Sequence, residues 1–460
     1  MHNNPWELIS LVERFGHPRI MVIGDLMVDE YIYGNAERLS PEAPVPVVKE
    51  KYREQRAGGA GNVAADLAVL GAQVVCVAIR GADSPGDLLV SLLQKAGANT
   101  SGVLACADRP TTSKTRLVGL AQHRHPQQML RLDQEDTRPI SASQEQQLLD
   151  TIAAELPACD LVCLEDYNKG LLTPSFCQRI VALARRLHKS VLVDPAAITD
   201  YFKYRGVTTI TPNRTEAEKA TGIVLADGVD AAPQLAQALT AQLELEACVL
   251  TLDRHGIYLL ERQADGTPHG QHHPTRQRTV YDVTGAGDMV LATLAMVRAA
   301  GGTWSQAVDL ANVAGGLEIE RFGCVPIQTS EIRAELLALA GQAHGKLLPL
   351  ADLRIELTRR RTLEQKIVFT RGGFDVLTAA DVRQLQFARQ QGDVLVVGVE
   401  TAESFPKRAG PERHPLADRL TVLAALVAVD FMVPFSEETA AEVLGALGPD
   451  IIINKPPTSP

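Results

Sequence analysis

The stretch YDVTGAGDMVLAT, beginning at Tyr281, joins a carboxylate to three small residues and an apolar run in an order that suits phosphoryl transfer. The turn Thr284-Gly285-Ala286-Gly287 delivers Asp288 to the start of a helix-compatible segment. Small residues let main-chain N–H groups approach an anion closely, and the unpaired N–H groups of a helix start favour negative charge. Asp288 beside such a hole can accept a proton from a hydroxyl while the amides of Gly285, Ala286 and Gly287 hold a phosphoryl group. Read alone, the turn fits a capped strand-to-helix connection equally well. A second glycine turn, GGAGNVAADLAVLG from Gly58 to Gly71, lies far upstream. Gly58 and Gly59 permit close approach of backbone to a small ligand, and Asn62 offers donors and an acceptor at a helix start. Its alternative is a Gly turn with an Asn cap.

Composition bounds what such turns can serve. The chain has 460 residues, is 45% hydrophobic and 22% charged, and carries a net charge of −10. That length predicts roughly two to four domains, and the profile is that of an ordinary globular protein. The negative balance argues against nucleic acid and anionic membrane as partners, so any phosphate site must be a local basic cluster. No apolar run approaches the roughly 20 residues of a membrane span. The start MHNNPWELISLVERFG lacks a basic-then-apolar signal, which predicts a cytoplasmic protein. Seven cysteines without a CxxC pair argue against a disulfide framework and a zinc site. His269, His272 and His273 fall in QADGTPHGQHHPTRQ, which reads as a polar loop rather than a metal site.

The elements needed to position these turns are legible as alternation. RIMVIGDLMV, AQVVCVAI, CDLVCLED, SVLVDP, TTITPN and ACVLTLD read as strands, separated by helical stretches such as NVAADLAVL, SFCQRIVALARRLH and QLAQALTAQLEL. This predicts a parallel sheet with helices on both faces. Asp25, Asp29, Asp166, Asp194, Asn213 and Asp253 gather at strand C-terminal ends, the edge where open α/β sheets bind ligands. EYIYGN with VPVVKEKYREQ, and TTSKTRLVGL with QQMLRLDQ, alternate with period two and predict an antiparallel flap. Beyond a charged, mainly helical connector, KIVFTRGGFDV opens a second, smaller α/β unit.

The two glycine turns, with the Asn-x-x-Glu of TPNRTEAE and the strand-loop TLDRHGI, resemble the motifs of the ribokinase-like (pfkB) sugar kinases over about residues 15–330. Within them, GDLMVDEYIYG, RLSPEAPVPVV, EDYNKG and YDVTGAGD follow the order of the bifunctional heptose 7-phosphate kinase/heptose 1-phosphate adenylyltransferases. FTRGGFDVL, RQQGDVLVVGVE, HPLADRLTVLAALVAVDFMVPFSEET and GPDIII match the adenylyltransferase half. The resemblance implies a ribokinase-like sheet with a small β flap over 1–330, a helical linker over 331–363, and a Rossmann-like, cytidylyltransferase-like domain over 364–460. It implies phosphorylation of D-glycero-β-D-manno-heptose 7-phosphate at O1, with ATP as co-substrate and Mg²⁺ as cofactor. Alternatives are a kinase for another sugar or sugar phosphate, and a non-catalytic sugar or nucleotide sensor.

Carried over by residue, Asp288 deprotonates the attacking hydroxyl, and Asp29, Gly58, Gly59, Asn62 and Asp166 hold the sugar. Asn213 and Glu216 organise Mg²⁺ through water, and with Thr251, Gly256 and Asn312 they surround the nucleotide. Lys114, Arg116 and Arg131 on the flap, with Lys169, take the phosphate that the substrate already carries. A homodimer through the flap strands is also implied. Two departures stand out. Asp194-Pro195-Ala196 replaces the frequent Asp-Pro-Lys, which removes one basic contact. Thr378-Ala379-Ala380-Asp381 replaces the His-x-Gly-His that contacts nucleotide phosphates, and the chain closes on NKPPTSP without the family's late Ser/Thr-bearing helix. A carboxylate there repels phosphate, so the second unit reads as a degenerate, inactive adenylyltransferase retained for packing, assembly or regulation.

Overall fold

Short apolar strands alternating with helices bury both faces of a sheet, and the chain does this twice. The computed structural model describes residues 2–453 apart from 122–123, 225–227, 264, 277, 279, 322, 344–345, 349, 402–413 and 437. The closing NKPPTSP therefore lies outside the described residues. The chain divides into two compact units, Met1–Ala334 and Glu335–Pro460.

The first unit holds a nine-stranded sheet. Its spatial order is Pro268–His273, Ile257–Arg262, Ala247–Thr251, Thr209–Ile210, Ser190–Asp194, Leu161–Glu165, Arg19–Gly24, Gln73–Gly81 and Asn99–Cys106. The run from Ala247–Thr251 to Asn99–Cys106 is parallel, and the remaining pair closes one edge antiparallel. Central strands such as Leu161–Glu165 are buried along their whole length, as near-continuous apolar runs require. The helix Ala286–Ala299 has every residue from Asp288 to Val297 buried, matching a sequence that is apolar all round. Because the parallel strands share a direction, Asp25, Glu165, Asp166 and Asp194 emerge at one edge.

The flap is a four-stranded sheet ordered Pro46–Gly59, Leu26–Leu39, Ser113–Ala121, Arg124–Gln134. The expected all-antiparallel pairing is corrected at its centre, where Leu26–Leu39 and Ser113–Ala121 run parallel. The chain between those strands returns through the main sheet, so it enters the flap in the same direction rather than as a hairpin. Strand alternation puts Asp29, Tyr31, Lys114 and Arg116 on one face. Leu130 and Leu132, on the opposite face, are 58% and 67% exposed.

A second correction concerns QADGTPHGQHHPTRQ, where Pro268–His273 forms an edge strand rather than a loop. Its outer residues are exposed, which gives it a polar composition that hides the strand. His273 is buried with Nδ1 2.9 Å from Asp309 Oδ1, while the ring of His272 reaches the carbonyl of His255.

The second unit is a parallel sheet ordered Phe431–Phe435, Val394–Glu400, Ile367–Gly372, Ile451–Ile453. Val368, Leu395, Val397 and Met432 form its core with Leu385 of the helix Ala379–Gln390 and Leu423 of Leu416–Ala424.

Candidate active site

Asp288 sits in the first turn of Ala286–Ala299, behind Gly285 at φ 94°. The left-handed backbone and the space both demand glycine there. A Cβ on Gly285 would lie 2.8 Å from Glu318 Oε1, 2.9 Å from Cys324 Sγ and 3.1 Å from Asn62 Nδ2. The Asp288 carboxylate is 5% exposed and accepts a 2.7 Å hydrogen bond from Asn62 Nδ2. The Tyr167 hydroxyl donates to its other oxygen at 3.4 Å. Burial pushes Asp288 up to about 7, and the Asn62 and Tyr167 bonds hold it from going higher. It is therefore poised to take a proton near neutral pH.

The upstream turn lies against the same group. Gly59, at φ 58°, precedes the helix Ala60–Val69 that carries Asn62. A Cβ on Gly58 would collide with Asp29 Oδ2, so only glycine lets that carboxylate approach the turn. Asp29 and Arg116 form a buried ion pair. The Lys114 ammonium lies 5.0 Å from the centre of the Tyr167 ring. Burial, ahead of neighbouring charges, lowers its affinity for a proton.

Carboxylates crowd this edge. Asp25 accepts the amides of Tyr167 and Lys169 at 2.9 Å each, yet burial and Asp166 raise it to about 6. Glu165, Asp194 and Asp288 bring one oxygen each within 4.8 Å of one another. Burial raises both Glu165 and Asp194 well above the carboxylate range, and Glu165 Oε2 is buried without a partner among the described residues. Hard oxygen donors with uncompensated charge suit a divalent cation such as Mg²⁺. Sequence reasoning missed Glu165; its signal is its place as the last strand residue in EDYNKG.

The other sequence-predicted residues divide sharply. Asn213 and Glu216 cap the helix Arg214–Thr221 reciprocally, at 3.0 and 2.8 Å, and Glu216 is the largest electrostatic influence on Asp194 after burial. Thr251 bridges to Asn213, and Asn312 donates to the carbonyl of His273 at 3.0 Å. Gly256, at φ 89°, leaves no space for a Cβ against the same carbonyl. Asp166 is not open to a ligand. It pairs with Lys203 at 2.5 Å and accepts from Tyr204 at 2.8 Å. Lys203, which sequence reasoning also missed, is thus the cation that neutralises Asp166, while Lys219 reaches the carbonyl of Ala197, just beyond Asp194-Pro195-Ala196, at 2.5 Å. Arg116, Arg131 and Lys169 do not converge as free cations, being held by Asp29, Asp133 and Glu135.

The comparisons with known proteins agree with this geometry. The model of the pfkB family carbohydrate kinases matches residues 17–330, and that of the cytidylyltransferase-like proteins matches 369–456. The bifunctional protein HldE of Citrifermentans bemidjiense is 40% identical over 450 residues, covering 97% of this chain and 90% of that protein. The bifunctional protein HldE of Methylobacillus flagellatus is 40% identical over 453 residues, with the same coverage. This chain belongs to the pfkB carbohydrate kinases, in the family of bifunctional HldE proteins. Solved structures share the kinase fold. Arabidopsis thaliana ribokinase, complexed with ribose and ATP, is 18% identical with a TM-score of 0.52, covering 70% of this chain and 99% of that one. Phosphofructokinase-2 of Escherichia coli is 16% identical with a TM-score of 0.57, covering 70% and 99%. The protein is a sugar kinase, a phosphotransferase with an alcohol acceptor, and ATP is the co-substrate its family implies.

Gly285→Ala is expected to lower kcat by on the order of a hundredfold, because a displacement of about 1 Å at Asn62 or Asp288 spoils the attack geometry. ADP release measured beside a thermal melt checks this; unchanged turnover in a folded variant removes the turn from the site.

Proposed function

We propose that the first unit, over 1–330, phosphorylates D-glycero-β-D-manno-heptose 7-phosphate at O1, giving the 1,7-bisphosphate. The observation that carries this reading is the buried Asp288 held by Asn62 at the meeting point of the two glycine turns, in a chain 40% identical to bifunctional HldE proteins. Asp288 takes the proton of the anomeric hydroxyl as that oxygen attacks the γ-phosphorus of ATP. Main-chain amides of Gly285, Ala286 and Gly287 face the charge developing on the transferred group. Asp29, with Asn62 and the amides of Gly58 and Gly59, orients the sugar; Thr251, Gly256 and Asn312 border the nucleotide. Glu165 and Asp194, with Glu216 behind them, are the group that would hold Mg²⁺, and the ion would neutralise phosphate charge when bound.

A panel of sugars and sugar phosphates with coupled ADP detection tests the substrate; preference for an unphosphorylated sugar overturns the heptose assignment. Asp288→Asn should keep the fold and ATP binding while turnover falls about 10²- to 10⁴-fold, measured with the preferred sugar.

The second unit, in our reading, no longer transfers adenylyl groups. Thr378 and Asp381 cap the helix Ala379–Gln390 reciprocally, the Asp381 carboxylate accepting the Thr378 amide at 2.8 Å. The helix start that an anion would need is thereby filled by a fixed negative charge. Heptose 1-phosphate, ATP and pyrophosphatase should yield no ADP-heptose above a blank. Product that vanishes on disrupting this unit but persists in Asp288→Asn overturns the reading.

The exposed Leu130 and Leu132 support dimerisation through the flap. Light scattering should give twice the chain mass, reduced to the monomer by Leu130→Glu with Leu132→Glu. A wild-type monomer at high concentration removes the dimer. No helix among the described residues is long and apolar enough to cross a membrane, and all seven cysteines are free. Both facts support a place in the reducing cytoplasm.

A further inference from the structure

Arg56 stands between the flap and the turn that carries Asp288. In the flap register it lies directly opposite Asp29, so both side chains leave the same face of the sheet. Asp29 is taken by Arg116, and the Arg56 guanidinium turns to other acceptors. One arm meets Glu54, on its own strand, at 2.8 Å. The other donates to the main-chain carbonyl of Cys324 at 2.8 Å, a partner 268 residues further along the chain. The Tyr31 ring packs against the guanidinium, its centre 5.7 Å from the central carbon. Glu54 is 40% exposed, so that ion pair is screened and adds little. The bond to Cys324 is the one that ties distant parts of the fold together.

The segment that Arg56 reaches is built into the catalytic turn. Gly323 donates its amide to Asp282 Oδ2 at 3.1 Å, and Asp282 Oδ1 accepts the amide and hydroxyl of Thr284 at 3.0 and 2.7 Å. Thr284 immediately precedes Gly285. The Cys324 thiol closes over the same turn, its Sγ 2.9 Å from where a Cβ on Gly285 would lie. Gly323 has φ 73°, and a Cβ there would stand 2.8 Å from Arg56 Nη1. Backbone conformation and the guanidinium therefore both require glycine at 323. Strand pairing and then hydrogen bonds lead from Asp29 through Arg56 to the turn that presents the Gly285–Gly287 amides.

We infer that Arg56 is a positioning residue, which couples the seating of the sugar against Asp29 to the set of the amides that receive the transferred phosphoryl group. It touches neither reacting atom. The inference rests on the sugar kinase reading above, which places the sugar at Asp29 and the phosphoryl group at the turn. Such coupling is reciprocal: a bound sugar tightens nucleotide binding by the factor with which the nucleotide tightens sugar binding. A plain strut between flap and body would add stability and leave that factor untouched.

Calorimetric titration of the full chain tests it, with the sugar preferred in the substrate panel and a non-hydrolysable ATP analogue with Mg²⁺. Each ligand is titrated alone and then with the other saturating. In the wild type the second ligand should bind on the order of fivefold to a hundredfold tighter than it does alone. Arg56→Ala should bring that ratio below about twofold, while each ligand alone keeps its Kd within about threefold. Its kcat should fall on the order of tenfold, the amides being less well set for the transfer. Arg56→Lys, which keeps a donor for the Cys324 carbonyl, should recover part of the ratio. A thermal melt checks the fold; if Arg56→Ala does not fold, Arg56→Met, which keeps the stem against Tyr31, replaces it. A wild type without coupling between the two ligands overturns the inference, as does a folded Arg56→Ala or Arg56→Met that keeps the full ratio. A chain that phosphorylates no sugar of the panel overturns the kinase reading instead.

Discussion

Negative charge concentrated at one end of a parallel sheet is the constraint on which the first unit depends. Asp25, Glu165, Asp166, Asp194 and Asp288 all emerge at the same edge, and burial raises several of them far toward the neutral form. In a low-dielectric setting each such group needs a donor, a proton or a cation. The fold assigns these one by one. Asp25 receives two amides, Asp166 receives Lys203 and Tyr204, Asp29 receives Arg116, and Asp288 receives Asn62. Asp194 accepts from Thr211 at 3.0 Å, and Glu165 Oε2 is left without a hydrogen-bond partner among the described residues.

The same compensation explains why the flap and the two glycine turns cannot be considered apart from the sheet. Gly58 lets Asp29 approach, Gly285 admits Asn62 and Glu318, and the flap supplies Arg116 and Lys114 from one face of one strand. A second buried pair sits behind this arrangement. Neither oxygen of Asp66 nor of Glu318 has a hydrogen-bond partner among the described residues, and burial lifts Glu318 to about 8. Burial favours the neutral form of both, in keeping with the negative charge already crowded around Asp288.

The second unit combines an intact parallel-sheet core with a helix start that is capped from within. Its sheet core is intact around Val368, Leu395 and Met432. At the start of the helix Ala379–Gln390, Thr378 and Asp381 each satisfy the other's amide. A capping box stabilises the helix by about 1 kcal/mol, but it occupies the amides of Thr378 and Asp381 and adds a charge of the wrong sign for phosphate.

Sequence alone determined the alternating α/β architecture, both glycine turns and Asp288, because these follow from local periodicity and from backbone conformations that only small residues adopt. It also located most carboxylates of the edge, since strand ends are legible in apolar runs. It misjudged Pro268–His273 because an edge strand exposed on one side has the composition of a loop. It misread the central flap pairing because strand direction is set by what the chain does between strands. Above all, only the tertiary structure decided which charges are neutralised. Arg116, Arg131, Lys169 and Asp166 look equally available in sequence, yet each is held by a partner distant in the chain or on its own strand. Arg109 looks ordinary in sequence and is buried against the carbonyl of Arg138, with no ion pair among the described residues. Pairing is a matter of a few ångströms between groups that the sequence keeps apart, so the availability of a charge exists only once the chain has folded.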